Sequence, residues 1–168
     1  MNLSELNQLN AEQAYAWFNH CCVATRWCQL MCEARPYSDL PSLLEQAQNA
    51  WQQCNTPDFI EAFEGHPMIG DMATLRAKYA ATQNLASHEQ QGTASADEAT
   101  LAALHQLNHQ YLAKHGFIFI ICASGLSAQT MLEALQHRLG NDTATEIRLA
   151  AAEQLKITLL RINKGLQD

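Results

Sequence analysis

What this chain lacks narrows what it can do. It has no run of basic residues, and its 168 residues carry a net charge of −7. That balance disfavours non-specific binding to nucleic acid or to an anionic membrane surface. Neither partner is expected, and an anionic substrate would have to be held by a few local cations. No apolar stretch approaches the roughly 20 residues of a membrane-spanning helix; the longest is Phe117 to Ala123. The start, Met1-Asn2-Leu3-Ser4-Glu5, lacks the basic region of a signal peptide. The end, Leu166-Gln167-Asp168, is not a peroxisomal tripeptide, so a cytoplasmic location is expected. Neither repeats nor low-complexity segments occur.

Several catalytic signatures are also missing. Ser124-Gly125 and Ser127 do not form the G-x-S-x-G elbow of a serine hydrolase. There is no glycine-rich phosphate loop. His105 and His109 stand one helical turn apart, but Gln106, Leu107 and Asn108 lie between them instead of an H-E-x-x-H glutamate. Such a pair can bind zinc from one helix face, yet usually lies on a solvated face. Six cysteines occur, Cys21, Cys22, Cys28, Cys32, Cys54 and Cys122, with no C-x-x-C among them. Four crowd into Cys21–Cys32 beside His20 and amid Trp27, Leu30 and Met31. Buried reduced thiols suit a cytosolic chain better than a metal cluster, and no metal is expected.

What is present is mostly helical pattern. Length predicts one domain, residues 1–168, large enough for a proper core. Asn10 is placed to cap a helix from Ala11 through Phe18, and His20 to Glu33 has helical spacing. Asp39 and Pro41 open another helix, with Leu43, Leu44, Ala47 and Trp51 as its apolar stripe. Thr56 and Pro57 open a short one that Gly65 closes. Ala73 to Ala81 looks helical, whereas Thr82 to Thr93 is polar and non-periodic. Ser95 and Glu98 read as a capping box for a long helix to about Lys114, with Leu101, Leu104, Leu107, Asn108 and Tyr111 facing in. Ser127 caps a helix to Leu139, closed by Gly140, and Thr143 with Glu146 caps a last helix to about Asn163. Phe117-Ile118-Phe119-Ile120-Ile121-Cys122-Ala123 is the one strand-like run. Lacking a partner strand, it reads as a buried extended segment whose backbone groups need partners, a ligand among them. The expected fold is all-α, a single-domain bundle of about seven to nine helices with one buried extended segment near 117–123.

The most informative stretch is Phe63-Glu64-Gly65-His66-Pro67-Met68-Ile69-Gly70-Asp71. Pro67 cannot continue a helix and biases His66 toward extended backbone. A histidine on such a corner is held by the backbone and titrates near neutral pH. Taken locally, it is equally a capping or surface histidine.

Four pieces stand in fixed order: His66-Pro67-Met68-Ile69-Gly70-Asp71, Ser87-His88-Glu89-Gln90, the Gly116 to Ala123 segment, and the helix from Glu153 to Arg161. In order and spacing they resemble the family of 2-oxo-4-hydroxy-4-carboxy-5-ureidoimidazoline (OHCU) decarboxylases of purine catabolism, over nearly the whole chain. The resemblance implies an all-helical, commonly dimeric enzyme without metal or organic cofactor. Such an enzyme takes OHCU, the hydrolysis product of hydroxyisourate, and releases CO2 to give (S)-allantoin. Carried onto this sequence, the catalytic histidine falls on His66, a glutamate on Glu89 and a substrate-binding arginine on Arg161. Pro67, the loop of Ala86, Ser87, His88, Glu89 and Gln90, and the backbone of Ile120, Ile121, Cys122, Ala123 and Ser124 become further substrate contacts. One departure is Met68, where the family often has arginine; it removes a cation near the site.

The chemistry is self-consistent. The ring next to the leaving carboxylate supplies its own electron sink, so no cofactor is required. The protein must orient the carboxylate, stabilise developing charge and deliver a proton to one face. His66 as imidazolium suits the last two tasks, and a nearby carboxylate such as Glu89 would raise its pKa. Glu89 equally suits the substrate hydroxyl. Arg161 offers a planar fork for carboxylate or ureido oxygens, or else pairs with Glu153 or a helix end. Gln90 can read amide groups. Two other classes stand beside this one. In a non-catalytic helical interaction module, Trp17, Trp27 and Trp51 would be core or dimer residues. In a metal-assisted hydrolase, His66 would act with Asp71 or with His105 and His109.

Overall fold

The computed structural model describes residues 1–68, 73, 75–76 and 93–166, the side chains of 93–97 excepted. Among them are eight α-helices and no strand, so the all-α expectation holds. They are α1 (Leu3–Gln8), α2 (Ala11–Cys21), α3 (Thr25–Glu33), α4 (Leu40–Gln52), α5 (Thr56–Glu64), α6 (Thr93–His115), α7 (Ala128–Leu139) and α8 (Thr143–Gly165). None is long and apolar enough to cross a membrane. The chain forms two compact units. One comprises Met1–His66 with Ile147–Asp168, and the other Pro67–Glu146. The helix expected over Ala73–Ala81 lies largely outside the described residues; Ala73, Leu75 and Arg76 are helical.

In the first unit the core is aromatic. Phe18 is fully buried and meets Trp17, Trp27 and Tyr37 edge-on, with centroids 5.1, 5.9 and 6.4 Å away. Each buried indole N–H finds a carbonyl, as burial of a polar atom demands. Trp27 donates to Ala47 of α4 and Trp51 to Ala151 of α8, both at 3.0 Å. These bonds tie α4 to α3 and α8.

Several helix ends are closed from far along the chain. Arg35 Nη1 donates to the carbonyls of Leu6 and Leu9 at 3.0 and 2.7 Å, satisfying the C-terminal end of α1. The single helix expected over His20–Glu33 is broken, because Cys22 turns extended (φ −153°, ψ 126°). The new helix starts at Thr25, where a local side-chain cap is replaced by Glu61 of α5, which accepts from the Thr25 backbone N–H at 2.9 Å. A carboxylate at a helix start also complements its dipole.

Other ends shift by a residue or two. Asn55 occupies the cap position of α5 in place of Thr56, and its N–H donates to Asp58 at 2.8 Å. The cap of α8 is Asp142, which accepts from Thr145 N at 2.7 Å, and not a Thr143–Glu146 box. That helix runs to Gly165 rather than Asn163. Helix α6 begins at Thr93, ahead of the expected Ser95 cap, and Glu98 instead takes the exposed Arg76 guanidinium in a two-point contact at 2.6 and 2.8 Å.

The second unit pairs α6 with α7. Leu101, Leu104 and Tyr111 are buried as expected, while Leu107 and Asn108 are only half-buried. Gly116 ends α6 at φ +78°, a left-handed position that suits glycine. The following segment, 117–123, is neither helix nor strand. Only Phe117 and Ile120 are fully inside, and the rest of 118–123 is half-buried.

Candidate functional site

Helix α5 delivers His66. Glycine at position 65 is not there for a left-handed turn, since its φ is −71°. It is there for close approach: a Cβ would strike the Val23 side chain in the α2–α3 break. The backbone N–H of His66 still bonds back to Phe63 O at 3.1 Å. The chain passes from the first unit to the second at His66–Pro67. The helix therefore ends at Glu64 with Gly65 at its C-cap, the stop read from the sequence.

His66 is half-buried, and its Nε2 lies 2.6 Å from Oε1 of Gln154 on α8. Gln154 is 1 % exposed and Thr158, one turn on, 2 %. Gln154 Nε2 donates to Thr158 Oγ1 at 3.2 Å, and the Thr158 hydroxyl donates to the Gln154 carbonyl at 2.9 Å. Arg161 lies three residues further along the same helix face. Its Nη1 donates to the Cys21 carbonyl at 3.2 Å, at the end of α2. The helix-terminus reading of Arg161 is thus present, while Glu153 pairs with Lys156. The Cys21 bond uses one of five guanidinium N–H groups.

Burial lowers the His66 pKa from its ordinary 6.5; the Gln154 hydrogen bond opposes this and the Arg161 charge adds to it. The net direction is opposite to that of a histidine held charged by a carboxylate, and His66 is neutral at pH 7. The nearby thiols are neutral too. Burial pushes Cys21 up to about 12 and Cys22 up to about 11, against the Arg161 charge. Burial likewise raises Cys28 well above its ordinary range and Cys54 to about 12. Thiols held in the protonated form are poor nucleophiles at neutral pH. Among the described residues no group of three or more His, Cys, Asp or Glu side chains is gathered for a metal. The His105 and His109 rings meet edge-on with centroids 4.7 Å apart, as neighbours on α6.

Ala86, Ser87, His88, Glu89 and Gln90 lie outside the described residues. Pro67 is exposed and Met68 half-buried. In the second unit, Ile120 is buried, Ile121, Cys122 and Ala123 are half-buried, and Ser124 is exposed just before Gly125 at φ +78°. That segment is held by Arg138, whose Nη1 donates to the Ile120 carbonyl at 2.5 Å and whose guanidinium carbon lies 4.6 Å from the Phe119 ring centroid. Arg138 in turn is paired with Glu146, 2.8 Å from Nη2 to Oε2.

Sequence reading passed over Gln154, Thr158 and Arg138, and gave Glu146 only a capping role. The first two had a usable signal. They fall in phase with Ala150 and Ile162 on the buried stripe of α8, and polar residues on such a stripe require partners.

Comparison with known proteins agrees with this frame. The family model described as OHCU decarboxylase matches residues 7–163, through both units. A uric acid degradation bifunctional protein TTL from Arabidopsis thaliana is 33% identical over 148 residues, covering 88% of this chain and 46% of that protein. A 2-oxo-4-hydroxy-4-carboxy-5-ureidoimidazoline decarboxylase from Amia calva is 32% identical over 102 residues, 61% of this chain and 58% of that one. The chain thus spans about half the length of these two relatives. A crystal structure of OHCU decarboxylase in the presence of (S)-allantoin superposes with a TM-score of 0.72 at 32% identity, over 92% of this chain and 99% of that one. With the match running through His66, segment 117–123 and the Gln154–Arg161 face, the chain belongs to the OHCU decarboxylase family.

Proposed function

We propose that this chain, as one domain over 1–168, decarboxylates OHCU to (S)-allantoin in urate degradation, without a cofactor and with protonation on one ring face. The observation that carries the reading is His66: half-buried, its pKa lowered by burial, and fixed through Nε2, with the Arg161 cation on the helix face that fixes it.

The steps balance. The bond from the ring carbon C4 to its carboxylate breaks, and CO2 leaves. The electron pair forms a C4=C5 double bond and pushes the C5=N electrons onto nitrogen, which takes a proton from solvent. The C4 hydroxyl then gives up its proton as the C4 carbonyl forms, and C5 gains one. A neutral His66 does both transfers through Nδ1, taking the hydroxyl proton and returning it to C5. Arg161 holds the carboxylate or ureido oxygens. Glu89 is not needed to keep His66 charged and is assigned to donors on the substrate, the hydroxyl or the ring N–H groups. Ala86, Ser87, His88 and Gln90, Pro67, and the backbone of 120–124 complete substrate binding.

The test uses OHCU made in situ from urate by its oxidase and the hydrolase, with allantoin followed by circular dichroism. Rapid formation of one enantiomer, unchanged by EDTA, is the expected result. A rate no faster than spontaneous decay ends the proposal. The reading also takes the enzyme to be a cytoplasmic homodimer, in line with its reduced thiols and the family resemblance; sedimentation velocity should give twice the chain mass, and a monomer at micromolar concentration would refute that part.

A further inference from the structure

We propose that Gln154 is a positioning residue for this reaction: its buried amide oxygen holds His66 in the Nε2–H tautomer and so leaves Nδ1 as the proton-accepting atom. The inference rests on the function proposed above, but its structural half stands without it. The direction of the bond follows from the chain of donors. Thr158 has one hydroxyl proton, and it goes to the backbone carbonyl of Gln154 at 2.9 Å. Its oxygen is then an acceptor, so the Gln154 atom 3.2 Å away is the amide nitrogen. The amide oxygen is thereby turned to His66, and an oxygen only accepts, so Nε2 must carry the proton. A flipped amide would demand that Thr158 abandon the backbone carbonyl.

Burial makes this arrangement firm. Gln154 and Thr158 are each at most 2 % exposed, so no water substitutes cheaply for a lost partner. The charged and titratable groups gathered at this face are Arg161 on α8, Cys21 and Cys22 at the end of α2, and Glu61 on α5, which is engaged by Thr25. Of these Arg161 acts on His66, and it disfavours the imidazolium. A neutral amide at position 154 keeps the ring oriented without charging it. A carboxylate there would orient the ring equally well but stabilise the protonated form, which cannot act as a base.

The experiment has two arms. In the first, ¹⁵N-histidine-labelled protein is examined by NMR above the His66 titration, with the His66→Asn variant used for assignment. A pyrrole-type Nε2 and a pyridine-type Nδ1 are expected; the reverse pattern overturns the proposal. The second arm compares Gln154→Glu and Gln154→Met with wild type after checking helical circular dichroism. Gln154→Glu should move the acid limb of kcat/KM to higher pH by a unit or more. Gln154→Met should lower kcat on the order of 10–100-fold with KM little changed. An unmoved acid limb in a folded Gln154→Glu protein refutes the positioning role, whatever happens to Gln154→Met. Failure of the wild type to turn over OHCU would end the functional reading while the NMR arm still decides the tautomer.

Discussion

Replacing His66 by alanine should lower kcat by at least roughly 10²–10⁴, the usual worth of a positioned general acid–base group. The fold should survive. His66 is half-buried, and among the described residues its side chain bonds to Gln154. The stability cost is that of leaving the Gln154 oxygen buried without a donor, about 1–3 kcal/mol. A variant that melts with a modest shift yet forms allantoin no faster than solution chemistry is therefore the expected outcome. The pH profile gives the same residue a second signature. With its pKa below 6.5, His66 is the free base at neutral pH. Wild-type kcat/KM should stay flat near pH 7 to 8 and fall as pH drops below about 6.5, where the base is protonated. Stability moves the same way. The unfolded chain binds the proton more readily than the folded one, so the folded state loses ground as pH falls through 6.5 toward the lower folded value. An acid limb above pH 7, or a His66→Ala protein with near-normal turnover, would remove His66 from the chemistry.

How far the sequence led can be judged from particular residues. The all-α class, the stripe of α4 and the stop of α5 before His66 followed from local rules: apolar spacing, a capping aspartate and a glycine. What was not legible came from distant parts of the chain. The break between α2 and α3 depends on Glu61 reaching Thr25 from thirty-six residues away. The Thr143–Glu146 capping box was the right motif in the wrong role. Asp142 caps the helix, and Glu146 is turned inward, 0 % exposed. Both arrangements satisfy the local rules, and only tertiary packing chooses between them. Gln154 was missed for a different reason. It carries no charge and belongs to no motif, although a buried amide in an apolar stripe is as demanding of a partner as a charge is of a counter-charge. The charge state of His66 was not legible either, because the burial and the Arg161 charge that lower its pKa are both tertiary facts.

The same buried Glu146 should carry the largest stability effect outside the His66 site. Its carboxylate accepts from Tyr111 at 2.5 Å, from Asn141 at 2.9 Å and from Arg138 Nε at 2.9 Å. Burial alone would raise its pKa, but the donors of Arg138, Tyr111 and Asn141 outweigh that and hold it below 4.5. It is therefore ionised at neutral pH, and its stabilising effect is lost as pH falls below 4.5 through the lower folded value. Arg138 is 8 % exposed and also donates from Nη1 to the Ile120 carbonyl. Glu146→Ala would leave that cation buried without its counter-charge, at a cost of about 3–5 kcal/mol by the usual measure of a broken buried pair. Urea unfolding should show it as a lower midpoint. Arg138→Met should cost a similar amount, since it strands the carboxylate instead. The double variant Glu146→Leu with Arg138→Met removes both charges and should recover much of the loss. Activity should not recover with it, because Ile120 then lacks the donor that anchors segment 117–123, to which substrate contacts are assigned. Stability and turnover thus part company in the double variant. Singles that cost under about 1 kcal/mol would show instead that water takes over the partner's role.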